Sequence, residues 1–138
     1  ANISGNTISG APYGVFVSSD AKGKIYQNTY KSGVKKKVYV GGKTSGITPK
    51  APKITKKSGS KTSMTVKWKK VSGAGGYEVQ YSTDPKLVSG VKSVSLSAKK
   101  TSASMKKPAA GKTYYVKVLS YKKVKGMQMY SSAKAMKL

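Results

Sequence analysis

The segment Ile3-Ser4-Gly5-Asn6-Thr7-Ile8 returns as Ile25-Tyr26-Gln27-Asn28-Thr29-Tyr30, a shift of 22 residues. A second pair, Tyr13-Gly14-Val15-Phe16-Val17 and Lys36-Lys37-Val38-Tyr39-Val40, repeats at a shift of 23. Polar turns separate the pieces, Ser9-Gly10-Ala11-Pro12 and Ser18-Ser19-Asp20-Ala21-Lys22-Gly23-Lys24. A period of this length, built from short β-rich pieces, predicts coils of a solenoid, each lending short strands to parallel sheets. A coil can bury its apolar face only against its neighbours, so at least about three are needed for stability. Two coils are therefore expected to end a longer solenoid that begins upstream of Ala1, or to pack on the domain that follows. Made alone, residues 1–46 should be unfolded.

The pattern I-x-x-N-T-I followed by Y-G-V-x-V resembles right-handed parallel β-helix proteins of the pectate-lyase type, over residues 1–46. The resemblance implies that Asn6 and Asn28 stack as a two-rung ladder, their amides bonding turn backbone that water does not reach. The alternative is that Asn-Thr marks two surface turns. Lyases of this family need acidic calcium ligands and a basic residue on one sheet. A segment whose only acid is Asp20 does not supply them, so any polysaccharide-cleaving chemistry is expected upstream.

Residues Gly41 to Pro52 mark a boundary: glycine and serine loosen the chain, and Pro49 and Pro52 then stiffen it. The expected domains are 1–46, a linker over 47–52, and a second domain over 53–138. In the second domain Met64, Val66 and Trp68 alternate with polar residues, as do Tyr77, Val79 and Tyr81. Weaker strands follow around Val91 to Leu96 and at Ala103 and Met105. Tyr114-Tyr115-Val116-Lys117-Val118 continues the pattern, and Met127-Gln128-Met129-Tyr130 is expected to close the domain. Period-two alternation with frequent turns and no helical period predicts a β-sandwich, so the whole chain reads as all-β.

Three features carry a second resemblance: a tryptophan ending the second strand, G-Y-E-V-Q-Y-S after it, and G-K-T-Y-Y-V-K-V later. On them residues 50–138 resemble a bacterial fibronectin type III domain of seven strands. The resemblance implies that Trp68 is the core tryptophan, with Tyr77 on the next strand. It implies that Tyr114 is the tyrosine corner, its hydroxyl bonding back to the preceding loop. One position departs from the family: Pro108 stands where a leucine is usual, and Met105 is expected to fill the gap.

Composition narrows the chemistry. The chain has 138 residues, 28 basic and three acidic, with no cysteine and no histidine. Thiolate chemistry, zinc–thiolate sites and the commonest general base are all excluded. Asp20, Glu78 and Asp84 are the only side-chain carboxylates, too few for a calcium cage beside anything else. No catalytic residue, metal site or cofactor is expected. The apolar runs are far shorter than the roughly 20 residues a membrane span needs.

The net charge of +25 lies well outside the magnitude of about 2–8 that suits a small soluble domain. All the basic residues are lysine. Lys67, Lys69 and Lys117 sit on strands, and Lys35-Lys36-Lys37 and Lys122-Lys123 form runs. Any single one reads as a solvated or edge-guarding residue. Together they point to a polyanionic partner: anionic polysaccharide, teichoic acid or mucin glycan. The absence of arginine argues against nucleic acid, whose readers favour its bidentate fork. Tyr115 and Tyr121 are either sugar-stacking or half-buried sheet residues.

The expected function is a non-catalytic spacer or adhesive module of a secreted or cell-surface protein of Gram-positive type, attached to upstream domains. The alternative is the accessory end of a β-helix polysaccharide lyase or hydrolase.

Overall fold

The computed structural model describes residues 2–8, 13–17, 22–26, 28–31, 34, 36–40 and 47–138, and every regular element among them is a strand. The chain divides into two compact units, Ala1–Pro49 with Tyr121–Ser132, and Lys50–Ser120 with Ala133–Leu138. The expected second domain ran unbroken from 53 to 138. Its residues Tyr121–Ser132 instead group with the N-terminal repeats.

In the first unit the strands are β1 (Asn2–Ser4), β2 (Thr7–Ile8), β3 (Tyr13–Val17), β4 (Gly23–Tyr26), β5 (Thr29–Tyr30) and β6 (Lys36–Val40). They pair in parallel at the repeat offsets, Ile3 with Ile25, Thr7 with Thr29 and Val15 with Val38. These ladders do not amount to a solenoid. β2–β5 and β3–β6 are sheets of two strands each, and β4 gains its second neighbour from a distant part of the chain.

That neighbour is β13 (Met127–Tyr130), which lies parallel to β4 with Met127 beside Gly23 and Met129 beside Ile25. β13 folds back from the end of β12 (Tyr115–Val124), pairing Val124 with Met127 and Tyr121 with Tyr130. The two linking residues, Lys125 and Gly126, have φ of 49° and 83°. Positive φ at both positions is the type I′ geometry, whose twist matches that of the flanking strands and which glycine adopts without strain. Gln128-Met129-Tyr130 repeats the polar–apolar–hydroxyl order of Lys24-Ile25-Tyr26, so Met129 meets Ile25 on the buried side. Val15, Ile25, Val38, Ile47, Met127 and Met129 form this unit's core, with Ile3, Ile8, Tyr30 and Val124 packed around it.

The second unit is the expected sandwich. One sheet has the order β11-β8-β7, from β7 (Ile54–Gly59), β8 (Ser63–Trp68) and β11 (Ser102–Lys106). The other runs β10-β9-β12, from β9 (Gly76–Ser82), β10 (Lys92–Ser97) and the first part of β12. β14 (Met136–Lys137) adds to β12 through Lys137 opposite Tyr115 and Met136 opposite Val116. The closing strand is thus β14 and not Met127–Tyr130. The seven strands expected are present with a different last member.

Alternation explains the packing. Met64, Val66 and Trp68 of β8, Tyr77 and Val79 of β9, and Val116 and Val118 of β12 all turn into one core with Met105 and Tyr114. Val94 and Leu96 of β10 pack against it, leaving Ser93 and Ser95 exposed. Burying a side chain of this size contributes about 1.5–3 kcal/mol. The ends of the long segment are tied within the same unit, where Ser120 Oγ donates to the Lys50 carbonyl at 2.6 Å.

Candidate polyanion-binding surface

The residues expected to be structural occupy defined places. Trp68 and Tyr77 pack at 5.2 Å between ring centres. The Tyr77 hydroxyl accepts the Val71 N–H at 2.8 Å. The Trp68 indole N–H is buried without a hydrogen-bond partner among the described residues. The Tyr114 hydroxyl accepts the Ala109 N–H at 3.0 Å, while Pro108 is exposed and Met105 lies in the core.

Asn28 Oδ1 accepts from the Asn6 backbone N–H at 3.1 Å and from Asn6 Nδ2 at 3.0 Å. Asn28 Nδ2 donates to the Ile3 carbonyl at 2.9 Å. The expectation placed these amides where water does not reach. Asn6 is in fact exposed and Asn28 only half-buried, because the two-stranded ladder leaves the turn open.

The described carboxylates serve the fold. Asp84 accepts the N–H groups of Lys86, Val88 and Ser89 at 2.9–3.0 Å, and these bonds hold its carboxyl below the usual range. Glu78 accepts from Gln80 Nε2 at 2.8 Å. Asp20 lies outside the described residues, and those described hold no cluster of metal-ligating side chains.

The lysines separate into different environments. Lys67 and Lys69 are exposed in the second unit, Lys67 opposite Lys56 and Ser102 on a polar outer face. Lys117 is half-buried; burial pushes its ammonium pKa down, partly offset by Glu78. Lys122 is half-buried and takes the position opposite Met129. Lys123 is exposed opposite Gln128. Lys35 lies outside the described residues, and of Lys36 and Lys37 only the backbone, in β6, is described.

Lys123 joins residues that composition did not single out. Because Ile3, Ile25 and Met129 turn inward, period two puts their chain neighbours on the opposite face of the first unit's sheet. Two rows result. One crosses the strands through Ser4, Tyr26, Tyr130 and Tyr121; the other passes through Asn2, Lys24, Gln128 and Lys123. Tyr130 lies between Tyr26 and Tyr121, with ring centres 5.6 Å from each. Gln128 Nε2 donates to the Tyr130 hydroxyl at 2.7 Å, and Lys24 Nζ stands 6.0 Å from that ring's centre. Asn2 Oδ1 accepts the Lys24 N–H at 3.1 Å. Tyr115, the other tyrosine considered for stacking, is half-buried on β12 in the second unit.

No protein-family model matches the chain, and no curated protein matches it. Among solved structures it is similar to the FN1–FN3 domains of chicken CNTN1, with TM-score 0.52, 16% identity and 73% of this chain covered. This chain spans 32% of that structure. An FN3 domain of human collagen XX matches at TM-score 0.48 and 12% identity, over 68% of this chain and 93% of that one. The likeness to the first of these shows a fold of fibronectin type III kind. Among the described residues no helix is long and apolar enough to cross a membrane.

Proposed function

We propose that this chain is a non-catalytic module of a secreted or cell-surface protein, serving as spacer and adhesive unit on anionic wall polymer or carbohydrate. The observation that carries the reading is the exposure of lysines in both units, Lys24 and Lys123 in one, Lys67 and Lys69 in the other. They sit on a fold that is typically a spacer or adhesion module. Lysine ammonium groups are compact, strongly hydrated charges, suited to salt-sensitive adhesion of low specificity. Retention of the protein on immobilised teichoic acid and on alginate, measured against salt, tests this. Binding should be strong at about 20 mM salt and fall steeply toward 0.5 M, as exposed charges become screened. No retention at the lower salt sinks the adhesive reading and leaves a plain spacer.

A second reading is favoured by the parallel pairing at offsets of 22 and 23 residues. In it, residues 1–46 are the terminal rungs of a longer parallel β-helix whose polysaccharide-cleaving site lies upstream. The residues preceding Ala1 decide it: acidic and basic side chains recurring on one face of further 22-residue repeats support it, and their absence ends it.

A further inference from the structure

We infer that the outer face of the sheet formed by β1, β4, β13 and the end of β12 is a binding strip for a linear anionic polysaccharide, lying across the strands. The inference rests on the adhesive reading and gives it an address. Its basis is the adjacency of the two rows. Neighbouring strands are about 4.8 Å apart, so Tyr26 and Tyr121, two strands from each other, stand about 10 Å apart with the buried Tyr130 as the support between them. Tyr26 and Tyr121, at the two ends of the strip, are half-buried. An aromatic ring with a polar tip offers an apolar face to the C–H side of a sugar and a hydroxyl to its rim.

The second row supplies what a charged, hydroxyl-rich polymer needs. Lys24 and Lys123 are exposed cations at separate strands, with Gln128 between them and Asn2 at the end. Amides donate to and accept from hydroxyls, while the ammonium groups meet carboxylates or sulfates. On the polar outer face of β8 in the second unit, the cross-strand row through Lys67 holds Lys56 and Ser102 and no aromatic residue. Charge is available in both places, but the combination of rings, amides and cations in register is found on the first. Single-stranded nucleic acid also uses stacking and positive charge. It is disfavoured here because Tyr130 is only 8% exposed, which leaves Tyr26 and Tyr121 about 10 Å apart, too far for successive bases to stack on neighbouring rings.

The test compares two double variants of equal charge change in the full chain, K24Q/K123Q and K67Q/K69Q, together with Y121L. All the substituted lysines are exposed, and circular dichroism melting confirms that each variant is folded. Binding to alginate, neutral dextran and oligo(dT) is measured at about 20 mM salt. The expected result is a roughly 5–10-fold loss of alginate affinity for K24Q/K123Q and a several-fold loss for Y121L. K67Q/K69Q should change it less than about twofold.

Equal losses in the two double variants, with the parent still binding alginate, overturn the strip while leaving diffuse adhesion intact. Failure of the parent to bind alginate at all overturns the adhesive reading itself. Tighter binding of oligo(dT) than of alginate, lost in K24Q/K123Q, overturns the choice of polysaccharide.

Discussion

The sandwich and the N-terminal repeats are made of similar material, short alternating strands joined by polar turns, yet they close their cores differently. The sandwich draws its buried set from Met64 to Val118 and adds only β14 from farther along. The repeats cannot do this. Two passes of chain provide Val15, Ile25 and Val38, and the cluster is completed by Ile47 and by Met127 and Met129 from the β12–β13 hairpin. Antiparallel strands pair with their neighbours in sequence, whereas a parallel rung has an open side that something else must cover. The difference lies in connectivity and not in residue type.

The largest expected effect probes the sandwich. Tyr77 is fully buried and its hydroxyl holds the Val71 N–H. Tyr77→Ala should cost about 3–5 kcal/mol in chemical denaturation followed by Trp68 fluorescence. A cost below about 1 kcal/mol would mean that the site collapses around the missing ring.

Met129→Ala probes the other region, with an expected cost of about 2–5 kcal/mol confined to the first unit. Hydrogen exchange should show lost protection at the Ile25 amide and little change at Val66. Equal loss at both would make the two units one cooperative body and break the comparison.

The smallest effect concerns Lys117. Its pKa is lowered in the folded state, by burial more than Glu78 restores it. The unfolded chain therefore holds that proton more tightly, and this group opposes folding below its folded-state pKa. The opposition fades as pH rises through the interval up to the ordinary value of about 10.4. Lys117→Met keeps the aliphatic stem and removes the charge. The variant should be more stable than the parent at pH 7, with the gap closing above about pH 10.4. A gap constant with pH would assign the difference to packing.

Much of the sandwich was legible because its signals are local. Met64, Val66 and Trp68 declare their face by alternation, and Tyr114 stands where the tyrosine corner requires it. The offsets of 22 and 23 residues likewise gave the parallel registers of β1 with β4 and β3 with β6. The partner of β13 was not legible. Alternation identifies a strand, but its neighbour is chosen by a buried face formed elsewhere in the chain. The only clue, Gln128-Met129-Tyr130 echoing Lys24-Ile25-Tyr26, is three residues long.

The two outer rows are not legible for the same reason. Lys123 reads as part of a basic run, Lys24 as the end of a turn, and Tyr26 and Tyr130 as ordinary strand residues. Counting charges does not reveal which side chains become neighbours across strands.

The hydrogen bond from Ser120 to the Lys50 carbonyl bears on how the chain reaches this state. Ile25 and Met129 are neighbours in the sheet although about a hundred residues separate them, and the entropy of closing a loop grows with the logarithm of its length. Once residues 50–120 have folded, that bond holds their two ends together. The long detour is then a short connection, and most of the closure entropy has already been lost. During synthesis the repeats emerge before β13, so Ile25 gains its neighbour Met129 only after the intervening sandwich residues have been made.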